Sequence, residues 1–206
     1  MDDTGKVQEF LIAMIGASPM EWTAVVCGVI NVGLIIRRSI WNYPFGFVMV
    51  VLYALIFWDH RLYSDALLQV YFFGIQIYGL WVWLNGRADD GRITVAPLPR
   101  QWLFVYLGAT AGVWLALAAV MTRYTDAAAP YWDAAIAALS VTAQLLMSRR
   151  HAESWLLWIM VDCLAIGLFF SRDLAPTAVL YGLFLVLAIT GLVRWRRAPH
   201  DRIESV

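Results

Sequence analysis

Long apolar runs alternate with short polar segments along almost the whole chain. Each run approaches the roughly 20 residues that an α-helix needs to cross the hydrocarbon core of a bilayer. The pattern therefore predicts transmembrane helices joined by short loops. Seven runs qualify, over about residues 20–36, 43–58, 65–84, 101–120, 131–147, 154–170 and 175–193.

The composition agrees with this pattern. Hydrophobic residues make up 62% of the 206 residues and charged residues only 15%, whereas an average soluble domain is roughly 45–50% apolar. Seven spans use most of the chain and leave no room for a soluble domain. We therefore expect an all-α integral membrane protein that is surrounded by a lipid bilayer and has no nucleic-acid partner.

The basic residues of the loops predict the orientation, because short loops rich in Lys and Arg stay cytoplasmic. With seven spans assigned, one side of the membrane has four of these residues and the other side has eleven. We therefore expect the N-terminus outside and the C-terminus in the cytoplasm. Residues 7–16 are too short to span, and we expect them to form an amphipathic helix in the interface.

The sequence contains an internal repeat. Placing residue 57 on residue 169 aligns residues 57–83 with residues 169–195 without a gap and gives nine identities in 27 positions. The same shift, called the repeat offset below, places Arg37-Arg38 on Arg149-Arg150. Spans one to three then correspond to spans five to seven, with span four as the connector. Because the displacement is four spans, both triplets have the same orientation, as in transporters built from parallel repeats with a substrate site between the halves.

The repeat and the linker composition divide the chain into five segments. The linker at residues 85–100 is charged and rich in Gly and Pro, which is typical of a loop. The segments are an N-terminal interfacial segment (1–19), a first three-helix repeat (20–84), a cytoplasmic linker with the connector helix (85–121), a second three-helix repeat (131–195) and a cytoplasmic tail (196–206).

One span carries a carboxylate and two tryptophans on a single face. Trp155, Trp158 and Asp162 are spaced i, i+3 and i+7, which confines them to about 60° of the helix surface. Polar groups inside a span are costly, and they usually serve a function. An aromatic pair beside a carboxylate suits a flat organic cation, through stacking, cation–π attraction and a counter-charge. An alternative is that Trp155 belongs to the aromatic belt at the interface.

Two further spans have polar stripes. The third span aligns Gln69, Phe72, Phe73 and Gln76 on one face. In the fifth span, Gln144 shares a face with Asp133 and Ser140. Amide side chains can recognise hydrogen-bonding edges such as a carboxamide or ribose hydroxyls. The alternative for the glutamines is a hydrogen bond to a neighbouring helix.

Several functional classes lack the residues they require. The chain has no GxxxxGK[ST] phosphate loop, and its only lysine is Lys6, which excludes a retinal Schiff base in a late span. The three histidines lie far apart in loops and the tail, so we expect no metal site. Asp162 has no nucleophile or base beside it in the sequence. We therefore expect a protein that is not an enzyme and needs no cofactor.

Four segments resemble the Pnu-type vitamin transporter family. They are "NYPFGFVMVVLYALIFW" (42–58), "RLYSDALLQVYFFGIQIYGLWVW" (61–83), "YWDAAIAALS" (131–140) and "ESWLLW" (153–158). The resemblance implies two parallel three-helix bundles joined by a linker helix, similar to sugar-transporting SWEET proteins, and commonly a homotrimer. It also implies the bacterial inner membrane and facilitated diffusion without a coupling ion. A cytoplasmic kinase would then phosphorylate and trap the vitamin.

The resemblance also suggests the substrate and the residues that bind it. The family's WxxWxxx[N/D] motif matches Trp155, Trp158 and Asp162, and the glutamines and phenylalanines of the third span lie near it by analogy. Nicotinamide riboside is the commonest substrate of the family and is a pyridinium cation, so it is our first prediction. Many riboside carriers have Asn where this chain has Asp162, and thiamine, also a flat cation, is the alternative.

Two other functions stay open. A sugar carrier is less favoured, because a carboxylate beside tryptophans suits a cation better than a neutral polyol. A seven-helix receptor that transports nothing is the rival from a different class, and its short loops offer little cytoplasmic surface for signalling.

Overall fold

Seven α-helices occupy most of the residues that the structure, a computed structural model, describes. The described residues are 18–59, 63–86, 93–125, 129–171 and 175–198. The interfacial helix predicted for residues 7–16 lies outside them. The helices are α1 (Pro19–Ile36), α2 (Asn42–Asp59), α3 (Tyr63–Asn85), α4 (Arg100–Tyr124), α5 (Pro130–Ser148), α6 (Ser154–Ser171) and α7 (Ala175–Arg196).

The prediction of an all-helical membrane protein is confirmed, with one difference among the spans. Of the described helices, six are long and apolar enough to cross a membrane, and α5 is the exception. Polar residues such as Asp133, Ser140 and Gln144 reduce its apolar character. Eight residues of α5 are buried, including Ser140. A helix enclosed by protein needs fewer lipid-facing side chains, which explains why α5 is less apolar.

The connector α4 shows the opposite pattern. Only 6% of the residues in its most apolar stretch are buried, and the buried residue of α4 is Ala118. It also continues to Tyr124, beyond the predicted end at residue 120. Because nearly all its side chains are accessible in the single chain, α4 has the surface of a helix that faces lipid.

The chain forms two compact units, residues 1–94 and residues 95–206. In the first unit α2 packs against both α1 and α3. In the second unit α6 packs against both α5 and α7, and α4 packs against α5. The middle helices α2 and α6 therefore occupy equivalent places in their own units.

The repeat offset recurs in the helix boundaries. Helix α2 runs from Asn42 to Asp59, and α6 runs from Ser154 to Ser171, so the offset places both ends of α2 on the ends of α6. It also places Tyr63, the first residue of α3, on Ala175, the first residue of α7. The repeat thus extends from residue identity to local structure.

The loops that precede α2 and α6 have the same unusual backbone. Arg38 and Arg150 have φ angles of 56° and 66°. These angles lie in the left-handed region, which residues other than glycine rarely adopt. Each arginine forms part of a turn in which the backbone amide of the next residue donates a hydrogen bond to a carbonyl in the last turn of the preceding helix. The closing bonds are Ser39 N to Leu34 O and His151 N to Leu146 O, both 3.0 Å.

A short stretch of the linker binds to each of these loops within its own unit. In the first unit the Arg38 Nη1 donates to the Ile93 carbonyl at 2.7 Å, and the Ile93 amide donates to the Arg38 carbonyl at 3.3 Å. In the second unit the Ala96 amide donates to the Arg150 carbonyl at 3.0 Å, and His151 Nδ1 lies 3.0 Å from the Ala96 carbonyl. Each loop is therefore held by two hydrogen bonds to the linker.

Replacing Arg38 tests the strain of the first loop. Arg38→Val and Arg38→Asn both remove the side-chain bond to Ile93, but valine tolerates a positive φ much less well than asparagine does. We expect Arg38→Val to be less stable than Arg38→Asn by about 1–2 kcal/mol. Unfolding midpoints in detergent would measure this difference, and equal midpoints would show that the left-handed backbone is not maintained.

The loop before α6 also predicts a pH dependence. A carbonyl only accepts, so Nδ1 of His151 carries the donated proton. Burial lowers the pKa of His151, and the opposing effects of the Ala96 carbonyl and Glu153 are smaller. The folded-state pKa then lies below the unfolded value of about 6.5, so the unfolded chain takes up more protons as the pH falls.

The stability contributed through His151 is complete above the unfolded pKa of about 6.5 and is lost as the pH falls below it towards the lowered folded-state pKa. His151→Gln should have a smaller decrease in thermal midpoint over this range than the wild type. Parallel melting curves of the two proteins would show a clear separation in slope. Identical pH dependence would show that another group is responsible.

Candidate functional site

The loop before α6 fixes where the helix begins. Ser154 is fully buried, and its Oγ donates to the His151 carbonyl at 2.7 Å. This bond satisfies a loop carbonyl beside a buried side chain, and α6 starts at the same residue. The positions of the three predicted site residues of α6 follow from this start.

Trp155 lies inside the second unit. It is 3% exposed, and its ring meets that of Trp195 edge-on, with a centroid distance of 5.7 Å and an interplanar angle of 83°. The ring also covers Gly191, where an added Cβ would lie 2.5–2.6 Å from three ring atoms. Among the described residues, the Nε1 of Trp155 is buried without a hydrogen-bond partner.

Asp162 and Trp158 follow on the same helix. Asp162 is 4% exposed and lies in the middle of α6. Within the described part of the chain, its carboxylate has no hydrogen-bond or ion-pair partner. Trp158 is partly exposed, so its ring is more accessible than that of Trp155. The sequence spacing and the helix together place the three side chains on one side of α6.

Helix α5 supplies the other predicted residue of this unit. Gln144 and Asp133 are partly exposed, and Ser140 is buried. Thr142, which the sequence analysis did not select, hydrogen-bonds through Oγ1 to Oγ1 of Thr110 on α4 at 2.7 Å. Thr142 thus joins α5 to α4, while Gln144 is partly exposed on the helix that packs against α6.

The remaining predicted residues belong to α3 in the first unit. Gln76 is 6% exposed, Gln69 and Phe72 are partly exposed, and Phe73 is 38% exposed. The Phe73 ring lies 5.1 Å from that of Phe47 on α2. The predicted residues thus fall in both units, on α3 of the first and on α5 and α6 of the second.

The sequence analysis missed a polar cluster around Gln76. Asn31 of α1 is buried, and its Nδ2 donates to the Asn42 carbonyl at 2.8 Å. Gly46 of α2 lies beneath both amides, so that a Cβ there would collide with the Oε1 of Gln76. Asn31 was detectable as a polar residue inside an apolar span. Gly46 was not, because its importance depends on its neighbours.

The described residues include no group of three or more His, Cys, Asp or Glu side chains that could hold a metal ion. Around α6 the structure places a carboxylate, aromatic rings and amides, which are groups that can bind an organic molecule.

A family model described as "Nicotinamide mononucleotide transporter" matches residues 18–197. The chain belongs to this family of transporters. The resemblance to Pnu-type proteins is thereby confirmed, as is the prediction that the protein is not an enzyme.

Individual relatives agree over nearly the full length. The chain is 29% identical to the nicotinamide riboside transporter PnuC of Escherichia coli, covering 97% of each chain. It is 26% identical to the riboflavin/roseoflavin transporter RibM of Streptomyces davaonensis, covering 82% of this chain and 81% of that one. A crystal structure of the vitamin B3 transporter PnuC has the same fold, with a TM-score of 0.73 at 23% identity over 93% of this chain and 86% of that chain.

The contact between Trp155 and Gly191 gives a test of the packing. Gly191→Ala would force a methyl group into the buried Trp155 ring, so we expect destabilisation of about 1–3 kcal/mol. Gly182→Ala on the same helix is the matched control. Among the described residues, a Cβ at Gly182 would meet no atom within 4 Å beyond its own helix backbone and chain neighbours.

Thermal midpoints in detergent would compare the two variants of α7. The control should match or slightly exceed the wild type, because alanine favours a helix by about 1 kcal/mol over glycine. If Gly191→Ala has the same thermal midpoint as Gly182→Ala, the Trp155 ring is not packed against α7.

Proposed function

We propose that this transporter carries nicotinamide riboside across the bacterial inner membrane by facilitated diffusion. The observation that supports this most strongly is Asp162, a buried carboxylate in the middle of an apolar helix that has no partner within the described part of the chain. A charged Asp at the centre of a membrane helix costs roughly 2.5–3.5 kcal/mol on insertion scales. A cationic substrate would offset this cost, which a packing role would not.

The neighbouring rings suit the flat pyridinium of the vitamin. Trp158 is the more accessible tryptophan and would stack on the cation, in an interaction worth about 2 kcal/mol when water is excluded. Trp155, which is 3% exposed, would contribute the small part of its ring that stays accessible. Gln69, Gln76 and Gln144 would bind the ribose hydroxyls or the carboxamide, and Phe72 and Phe73 would line the same site.

The repeat supports a transport mechanism. We propose that α1 to α3 and α5 to α7 are parallel repeats joined by α4, and that a change in their relative position admits and releases the vitamin. The excess of arginine on alternate loops supports an external N-terminus and a cytoplasmic C-terminus. We also propose a homotrimer, and a cytoplasmic kinase that phosphorylates the vitamin and prevents its return.

The relatives include carriers of chemically different vitamins, and the charge of Asp162 favours a cationic substrate for this chain. The riboflavin ring is neutral, so it gains nothing from a buried counter-charge. Thiamine is a flat cation that the same carboxylate and rings would accept, and it is therefore the second candidate. A receptor without transport activity, the remaining alternative, predicts no flux in vesicles.

Asp162→Asn tests the counter-charge. We expect uptake of nicotinamide riboside into vesicles, and its affinity by calorimetry, to weaken by at least about tenfold, because the amide keeps the shape and loses the charge. Cys163→Ala is the matched control, since Cys163 is the next residue of α6 and is exposed. This control should behave as the wild type does.

The same assay compares the substrates. Wild-type vesicles should accumulate nicotinamide riboside only to the external concentration, because no ion gradient drives the transport. Preferred uptake of thiamine would replace the first candidate with the second. Preferred uptake of riboflavin, or an unchanged affinity in Asp162→Asn, would contradict the role of Asp162 as counter-charge.

A further inference from the structure

We infer that Gly46 and Asn31 are positioning residues that hold the side-chain amide of Gln76 in place for substrate binding. The inference rests on the proposed function, in which Gln76 binds a polar edge of the vitamin. It adds two residues of α1 and α2 that carry no charge or ring and that the sequence analysis did not select.

The geometry around Gly46 is closely packed with polar atoms. Gly46 is buried, and the Oε1 of Gln76 occupies the space where a side chain at this position would begin. A Cβ at Gly46 would also lie 2.8 Å from the Nδ2 of Asn31 and 3.2 Å from the Cδ of Gln76. Only glycine therefore lets both amides approach this point of α2.

Asn31 is itself held in place. It is 8% exposed, and its Nδ2 donates to the Asn42 carbonyl, at the start of α2. Gln76 is 6% exposed, yet it has no hydrogen-bond partner of its own among the described residues. The accessible part of Gln76 leaves its amide able to bind another molecule, which packing alone would not require.

The second unit fills the equivalent positions in the opposite way. Under the repeat offset, Gly46 corresponds to Trp158, Asn31 to Ala143 and Gln76 to Ala188. Both alanines are buried, at 0% and 3% exposure. In the second unit the middle helix thus has the large side chain and its neighbours have small ones, whereas in the first unit the middle helix has none and its neighbours are large.

This exchange places a proposed binding group at the same level of each repeat. In the second unit that group is the Trp158 ring, and the equivalents of Asn31 and Gln76 there are the buried alanines Ala143 and Ala188. In the first unit it is the Gln76 amide, which Gly46 accommodates and which approaches the same point of α2 as the Asn31 amide. The absence of a side chain at residue 46 is therefore the condition for the amide to extend over α2.

Gly46→Ala tests this inference. The added methyl would collide with the ends of two flexible side chains and not with backbone, so the helices should persist while the Gln76 amide is displaced. We expect the KM for nicotinamide riboside uptake to rise about fivefold to tenfold, because about one hydrogen bond to the vitamin would be lost. The maximal rate should stay within about twofold of the wild type. Gly33→Ala and Gly74→Ala are matched controls, since a Cβ there would meet no described atom within 4 Å beyond the local backbone.

A double-mutant cycle with Gln76→Ala distinguishes positioning from a general packing defect. If Gly46 acts through Gln76, Gly46→Ala should change the KM by less than about twofold once the amide is gone. An equal effect in both backgrounds, or a wild-type KM in the single variant, overturns the inference. If Gly46→Ala does not fold, Asn31→Ala replaces it in the same cycle. We then expect the KM to rise about threefold. An unchanged KM in Asn31→Ala overturns the inference.

The wild-type protein separates this inference from the proposed function. Wild-type vesicles that take up neither nicotinamide riboside nor thiamine overturn the proposed function and the inference with it. Wild-type uptake that is unaffected by Gly46→Ala overturns the inference alone.

Discussion

Lipid supplies no hydrogen bonds, and the local structure of this protein follows from that constraint. Backbone groups at helix ends must find partners within the protein. Here the loops before α2 and α6 close on the preceding helix, and the side chains of Asn42 and Ser154 each donate at 2.7 Å to a loop carbonyl. Three of the groups that lack a hydrogen-bond partner among the described residues belong to the proposed binding site: the Asp162 carboxylate, the Trp155 indole N–H and the Gln76 amide.

The two units share one aromatic contact between their middle and third helices. Tyr43 meets Trp83 edge-on in the first unit, at 5.5 Å and 89°, and Trp155 meets Trp195 in the second, at 5.7 Å and 83°. The equivalence shows that Trp155 belongs to the repeated framework that joins the middle helix to the third helix of its unit. Trp155 would therefore have a structural role in addition to its proposed contact with substrate. Trp158 has no aromatic counterpart, because the equivalent residue of the first unit is Gly46.

The sequence predicted the helices well because lipid demands apolar side chains over a defined length. The helix predicted at residues 131–147 is present as α5, but its polar residues make it less apolar than the six helices that could cross a membrane by length and composition. The spacing of Trp155, Trp158 and Asp162 predicted a shared face, and their part in binding stays a prediction. Burial of Trp155 against Gly191 could not be predicted, because it depends on how the next helix packs. Gly46 was hidden for the same reason: its neighbours Asn31 and Gln76 come from two other helices.

The bonds between the linker and the loops have a consequence for biosynthesis. The Arg38 loop is completed by Ile93, which is 55 residues later in the chain, and His151 meets Ala96 over the same separation. The contacts of the first unit therefore involve only residues made before the second unit exists. Protein synthesis at about 5–20 residues per second leaves several seconds between the two. The first unit can thus complete its polar contacts while the second is still being synthesised, which favours insertion into the membrane one repeat at a time.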